Sequence, residues 1–257
     1  MKKRERLEML FNAIVSQNLI TTKEFIDFAV SKEIKYLTAT RDLKELEQLE
    51  YIKVVHDHIE ISNASLESPM HSYRYVLNVE EKTKIAARAV EFLEEEDVVY
   101  ISSGTTCEWL VKQIKTDVAL VVTNGLAVFN TCLNNEHIKE TILLGGHLRR
   151  KTLAFYGGDT LEILSRYRFT KAFLTATSMQ NNLELFISSE SEASIFSKAV
   201  SLAKKSFLVM DSTKLVEDQG SRFVTDLSDI DYLITDDNID NEIRELIASK
   251  TNLIVVK

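Results

Sequence analysis

The sequence predicts an α/β chain in two parts: a small N-terminal helical segment closed by a β-hairpin, and a larger segment built on a doubly wound parallel sheet. Three observations carry that expectation. Apolar residues recur at helical spacing up to about residue 49 and then give way to a β-branched run over 51–61. Beyond it, short continuous apolar runs alternate with helical patterns, the order expected of strands buried on both faces of a parallel sheet. Charge divides the same way. Residues 1–58 hold ten Lys and Arg against ten Asp and Glu, so the whole net charge of −8 falls on the larger part.

In the small part, Leu7, Leu10, Phe11, Ile14 and Val15 mark a first helix of about four turns. Thr21 precedes Glu24 by three residues, the spacing of a capping box, and Phe25, Ile26 and Ala29 give the second helix its apolar face. A third helix is expected over roughly 36–49. At 100° per residue, Ala39, Leu43 and Leu46 fall on one stripe, with Leu37, Arg41, Lys44 and Gln48 on the opposite one. The β-branched run folds back as a hairpin with Asp57-His58 at its tip, where His56 and His58 read as tip residues. Three helices and such a hairpin describe a winged helix-turn-helix, whose third helix enters the major groove of DNA. Arg41 and Lys44 suit that role, although isolated charges are as often ordinary solvated helix residues. Lys2, Lys3, Arg4 and Arg6 add a basic start that could lie along phosphates. The short-chained polar stretch 62–69 contains the sole proline and reads as a linker. The expected division is therefore a DNA-binding domain over 1–61, a linker over 62–75 and an α/β domain over 76–257.

In the larger part, strands are expected at 98–102, 119–122, 141–144, 172–175, 207–210 and 232–235, with a last one at 253–256. Helical patterns at 108–114, 193–204 and 241–249 lie between them. Ligands of such a sheet bind beyond the carboxyl ends of its strands. There the sequence places Ser103-Gly104-Thr105-Thr106 before a helix, Thr123-Asn124-Gly125 after the second strand, and Gly145-Gly146 with Arg149 after the third. Hydroxyls, a glycine and the unpaired N–H groups of a helix start form a phosphate cradle; a polar turn with one Thr as cap is the equally ordinary alternative. Six of the seven glycines lie between Gly104 and Gly158, which concentrates close backbone approaches in these loops. Arg149 can donate two hydrogen bonds to one phosphate, and Lys214, after the fifth strand, is a further candidate at the same edge.

Other chemistry is less legible. Cys107 and Cys132 lack metal or disulfide spacing and read as buried small side chains, Trp109 as a packing residue. His137 and His147 fall in loops with no acidic residue expected to orient them, and no nucleophile–base pair stands out. Without a signal peptide or membrane span, a cytoplasmic protein without cofactor or metal is expected.

The run Thr38-Ala39-Thr40-Arg41-Asp42-Leu43-Lys44-Glu45-Leu46, followed by Tyr51-Ile52-Lys53-Val54-Val55-His56, resembles the third helix and wing of the DeoR family of bacterial sugar-metabolism repressors. Ser103-Gly104-Thr105-Thr106, Thr123-Asn124, Gly145-Gly146 with Arg149, Glu192-Ala193 and Asp211-Ser212-Thr213-Lys214 resemble the rest of the family in the same order. The resemblance implies a homo-oligomeric repressor, dimer or tetramer, that binds operator DNA and responds to a phosphorylated sugar. It implies DNA contacts from Lys35, Tyr36, Thr38, Thr40, Arg41, Lys44, Lys53 and His56. It implies effector contacts from Ser103, Gly104, Thr105, Thr106, Thr123, Asn124, Gly125, Gly145, Gly146, Arg149 and Lys214, in a domain similar in fold to sugar-phosphate isomerases. The chain departs from the family pattern at several places. Thr40 stands for a second arginine, Lys35 for a serine, Asp57-His58 for the wing glycines, Thr177 for an Asp and Phe196 for a Lys. The expected function is a non-enzymatic repressor of a sugar-utilisation operon. The alternatives are an isomerase-like enzyme and a repressor of the same fold that responds to no ligand.

Overall fold

The computed structural model describes residues 3–16, 21–48, 52–61, 71–150, 152–215 and 221–257. Lys2, Tyr51 and the polar stretch 62–69 lie outside the described residues, as do the side chains of Lys3 and Arg4. The chain divides into two compact units, residues 1–77 and 78–257.

In the first unit, α1 (Lys3–Ser16), α2 (Thr22–Ser31) and α3 (Tyr36–Gln48) precede β1 (Ile52–Val55), β2 (His58–Ile61) and α4 (His71–Val76). The Thr21 hydroxyl accepts from the Glu24 amide while Glu24 Oε2 accepts from the Thr21 amide at 2.9 Å, so the expected capping box starts α2. Leu10, Phe11, Ile14, Phe25, Ala29, Ala39, Leu43, Leu46, Ile52 and Ile59 form one core. At roughly 25 cal/mol per Å² of buried apolar surface, that core is the main force holding three short helices together. A second tie crosses from α1 to α3: Arg6 donates to Asp42 through Nε at 2.6 Å and Nη2 at 2.9 Å. Arg6, expected along phosphates, is therefore engaged in a bidentate pair with a carboxylate only 1% exposed.

Two expectations for this unit need correction. The hairpin pairs Val55 with His58, so its tip is His56-Asp57 rather than Asp57-His58, and both tip residues have positive φ (47° and 69°). A two-residue turn with that backbone matches the right-handed twist of its strands, and Asp tolerates it. The tip is pinned to the start of α2, where the Thr22 amide donates to Asp57 O at 3.0 Å. Residues 71–75, expected within the linker, and Val76, expected to open the α/β domain, form α4.

The second unit runs α5 (Val79–Val90), β3 (Val98–Ile101), α6 (Thr105–Lys112), β4 (Val118–Thr123), α7 (Leu126–Cys132), β5 (Ile138–Leu143), β6 (His147–Arg149), β7 (Ala154–Tyr156) and α8 (Gly158–Leu164). It continues with β8 (Phe169–Leu174), β9 (Ser178–Met179), β10 (Glu184–Ile187), α9 (Glu190–Leu202), β11 (Ala203–Val209), β12 (Arg222–Asp226), β13 (Tyr232–Asp236), α10 (Asn241–Ala248) and β14 (Asn252–Val256). Seven strands form a parallel sheet in the order β14-β13-β11-β8-β3-β4-β5. Alternate residues feed two core layers. Tyr100, Ala172 and Leu208 join α8, α9 and α10 on one face, while Val99, Ile101, Phe173 and Phe207 join α5, α6 and α7 on the other. Successive crossovers run outward in opposite directions from the neighbouring strands β3 and β8, which leaves a crevice beyond their carboxyl ends.

Two small antiparallel sheets, β6-β7 and β12-β10-β9, are additions the apolar runs did not signal. Each strand is too short or too exposed to give a continuous buried run. No described helix is long and apolar enough to cross a membrane.

Candidate functional site

Glycines bring the expected loops into contact at the crevice. Gly104 has φ +146°, and a Cβ there would come within 2.4 Å of Thr175 Cγ2, in the loop after β8. A Cβ on Gly125 would come within 2.9 Å of Ser103 Cα. The loops after β3, β4 and β8 therefore close on one another at these two glycines, Gly104 against the Thr175 side chain and Gly125 against the Ser103 backbone, a fit that a Cβ would disrupt.

Asn124 fastens this arrangement. Its Oδ1 accepts from the Tyr100 hydroxyl at 2.9 Å and from the Ser103 amide at 3.0 Å, and its Nδ2 donates to Phe155 O at 3.1 Å. Thr123 Oγ1 accepts from the Gly125 amide at 3.0 Å. Thr123 and Asn124 are both buried and spend these polar atoms on neighbouring protein groups, so they shape the loop rather than line it. What they shape is the start of α6, whose first amides have no intrahelical partner. The Thr106 hydroxyl there is buried without a hydrogen-bond partner, a group left polar inside the fold.

Two cations border the crevice, each held in place. Lys214 Nζ lies 3.4 Å from Thr175 Oγ1 and 3.5 Å from Ala176 O. Its loop is anchored by Asp211, which accepts from Asn78 Nδ2 at 2.9 Å and from the Thr213 hydroxyl, and by Ser212, whose amide and hydroxyl both donate to Asp236 at 2.7 Å. Burial works to raise the Asp211 carboxyl, but the charges of Lys214 and Lys82 and the hydrogen bonds from Thr213 and Asn78 outweigh it and hold it below the usual range. Burial pushes the Cys107 thiol up to about 11 despite the Ser102 hydrogen bond and the Lys214 charge, so Cys107 is a packed thiol rather than a nucleophile. Burial likewise raises Tyr100, with smaller contributions from Cys107 and Glu192. The second cation, Arg149, places Nε 3.3 Å from Glu192 Oε1 and its guanidinium 5.0 Å from the Tyr156 ring centroid. Glu192 also accepts from the Thr152 hydroxyl at 3.1 Å.

Gly145 and Gly146 turn the chain against α8: Gly145 O accepts from the Thr160 hydroxyl at 2.6 Å, and a Cβ on Gly146 would meet that hydroxyl at 2.3 Å. The β6-β7 hairpin joins the β4 loop through the Phe155 amide on Asn124 O at 2.7 Å. Ser103, Gly104, Asn124 and Gly125 are thus linked by direct contacts, and Lys214 joins them through Thr175. Arg149 connects to them through Glu192, whose charge acts on Tyr100. Glu192, Asn78, Asp211 and Asp236 were not among the expected site residues, although Glu192 and Asp211 stand in motifs the sequence does display. Two histidine expectations also change. His137 Nδ1 does have a carboxylate neighbour, Asp117 at 2.8 Å, on the surface, and His147 lies in β6 against Tyr156.

In the first unit, Lys35, Tyr36, Arg41, Lys44, Lys53 and His56 are exposed, while Thr38 and Thr40 are half-buried. The Thr40 hydroxyl donates to Tyr36 O at 3.0 Å and is spent on its own helix. Among the described residues no ion pair holds Arg41 or Lys44.

Residues 77–237 match the family model described as the DeoR C terminal sensor domain. The chain is 32% identical over 250 residues to the lactose phosphotransferase system repressor of Streptococcus mutans, covering 96% of this chain and 97% of the relative. It is 30% identical over 256 residues to the repressor of the same name from Staphylococcus epidermidis, covering 99% and 100%. Among solved structures, the probable sor operon regulator from Shigella flexneri aligns with a TM-score of 0.42 at 10% identity, over 79% of this chain and 97% of that one. Ribose 5-phosphate isomerase A from Methanocaldococcus jannaschii aligns with a TM-score of 0.40 at 16% identity, over 54% and 55%.

Proposed function

This chain belongs to the DeoR family, and from that premise we propose that it is a transcriptional repressor of a sugar-utilisation operon whose DNA affinity is set by a phosphorylated sugar. The first unit is assigned as a winged helix-turn-helix, with α3 as the recognition helix and β1-β2 as the wing. Arg41, Lys44, Lys53 and Lys35 supply the cations for operator DNA, with Tyr36, Thr38, Thr40 and His56 on the same elements. The second unit is assigned as the effector domain, of sugar-phosphate isomerase-like architecture.

The observation that carries the effector reading is the start of α6, where the first-turn amides lack intrahelical acceptors, the Thr106 hydroxyl is buried without a partner and Lys214 lies against the adjoining Thr175. A phosphate bound there receives backbone N–H donors and the positive end of the helix dipole. In this assignment Ser103, Thr105 and Thr106 donate to the phosphate and Lys214 neutralises it. Arg149 and Glu192 face the sugar hydroxyls, Gly145 and Gly146 form the rim, and Thr123, Asn124 and Gly125 hold the loop to shape. The relatives' names refer to a lactose phosphotransferase system, so phosphosugars of the kind such a system produces are the first ligands to test.

We assign binding rather than catalysis because the nearby carboxylates are committed: Glu192 faces Arg149, and Asp211 is held ionised among Lys214, Lys82, Thr213 and Asn78. A homo-oligomer, dimer or tetramer, fits the reading of repeated half-sites. The effector shifts repression only through a difference in affinity for the DNA-competent and DNA-released arrangements.

The test is fluorescence anisotropy on duplexes from the chain's own promoter region, titrated with and without a phosphosugar panel. Selective DNA binding that one phosphosugar shifts is the expected result. Absence of selective binding under every condition overturns the repressor reading.

A further inference from the structure

On α3, the stripe opposite the core carries Leu37, Arg41, Lys44 and Gln48, successive residues three or four apart, and all four are exposed. Three of them are polar or cationic, as a solvated stripe should be. Leu37 is not, yet it is 71% exposed and is absent from the apolar residues packed on the core of its unit. Among the described residues of that unit, the other exposed large apolar side chains are Tyr36 at 63% and Val30 at 51%, beside it on α3 and at the end of α2. Among the described residues of this unit, large exposed apolar side chains thus fall only on the approach to α3 and its first turn, the part of a recognition helix that meets base edges. The stripe contains no carboxylate, and Lys35 lies just ahead of it, so its charge suits a polyanion rather than a second protein face of mixed sign.

We propose that Leu37 is a base-reading residue that packs on a thymine C5-methyl group in the operator half-site, within about two base-pair steps of the base read by Arg41. The major groove offers one apolar group, that methyl, and leucine offers it no hydrogen bond, only contact. The spacing follows from the helix. Four residues at about 1.5 Å each separate Leu37 from Arg41 by about 6 Å along the axis, against about 3.4 Å per base pair. This inference rests on the assignment of α3 as a recognition helix.

The test selects a binding site from a randomised duplex pool with the wild-type full chain, then replaces each thymine of the half-site by uracil, which removes the methyl and keeps the pairing. One position should weaken wild-type binding by about fourfold, the effect of one buried methyl. Leu37→Ala should bind thymine and uracil duplexes equally at that position, with an unchanged melting temperature. Indifference of the wild type to uracil everywhere overturns the proposal, as does a methyl dependence that persists in Leu37→Ala. A Leu37→Ala variant that changes oligomeric state while keeping its methyl dependence assigns the residue to self-association and also overturns it. Failure to select any sequence removes the recognition-helix assignment itself, and this inference with it.

Discussion

The exposed face of α3 and the crevice beyond β3, β4 and β8 both carry cations beside polar groups, but they hold them differently. On α3, Arg41 and Lys44 extend from a helix fixed by its opposite, apolar side, and no described ion pair constrains them. In the crevice, Lys214 lies against Thr175 and Ala176 on a loop anchored twice, and Arg149 lies between Glu192 and Tyr156. A long polyanion supplies its own array of charges and orders flexible side chains one by one, so the protein need only leave them available. A small phosphosugar has few atoms with which to offset ordering, so its cradle has to be built in advance. Substitutions on the exposed face of α3 should therefore cost binding alone, and those that break the anchors of the crevice stability as well.

The largest effect is expected at Gly104. Valine there meets Thr175 Cγ2 and must adopt φ +146°, so strain and collision together should remove about 3–5 kcal/mol from the second unit and abolish phosphosugar binding. Denaturant titration measures it. A variant of wild-type stability would break the claim that these loops are interlocked.

Asp42 and Arg41 are sequence neighbours on the buried and the exposed side of α3. Asp42→Ala leaves Arg6 facing a gap in a nearly closed pair and should destabilise the first unit by about 3 kcal/mol, with DNA affinity falling only because folded protein is lost. Arg41→Ala should leave the melting temperature within about a degree or two of wild type and cost about 1–3 kcal/mol of operator binding if Arg41 reads a guanine. Loss of equal size on random DNA, with a salt slope lowered by about one, would make Arg41 a phosphate contact. Equal stability losses in both variants would erase the distinction between the two faces of α3.

What could be read from sequence follows the same divide. The stripes of α3 were legible because one helical period places each residue, and the strands because continuous Val, Ile and Leu runs mark burial on both faces. The hairpin tip was misplaced by one residue, since His56 and Asp57 adopt a backbone that no Asn-Gly or Asp-Gly pair announced. In the crevice, glycines marked the loops but not their joints. Asn78 meets Asp211 across 133 positions, and Arg6 meets Asp42 across 36. Such pairs are created by packing and have no local period. Arg6 and Arg41 look equivalent as letters, yet only the fold decides which one is spent on a carboxylate.

The smallest effect, and the most discriminating, concerns Thr106. Its hydroxyl is fully buried without a partner. An unsatisfied buried hydroxyl is a liability that valine, of nearly the same shape, removes. Thr106→Val should raise the stability of the unliganded second unit by about 1 kcal/mol, measured by denaturant midpoint at constant slope. If the hydroxyl is kept to meet a phosphate, the same substitution should lower phosphosugar affinity about tenfold by calorimetry, because the ligand loses one donor to a charged group. Stability and affinity would then move in opposite directions at one atom, the signature of a group retained for a ligand. If both fall, the hydroxyl is bonded in the folded protein and has a structural role. If stability rises with affinity untouched, the phosphate sits elsewhere on the sheet edge, and the cradle at α6 gives way to the Arg149 side of the crevice.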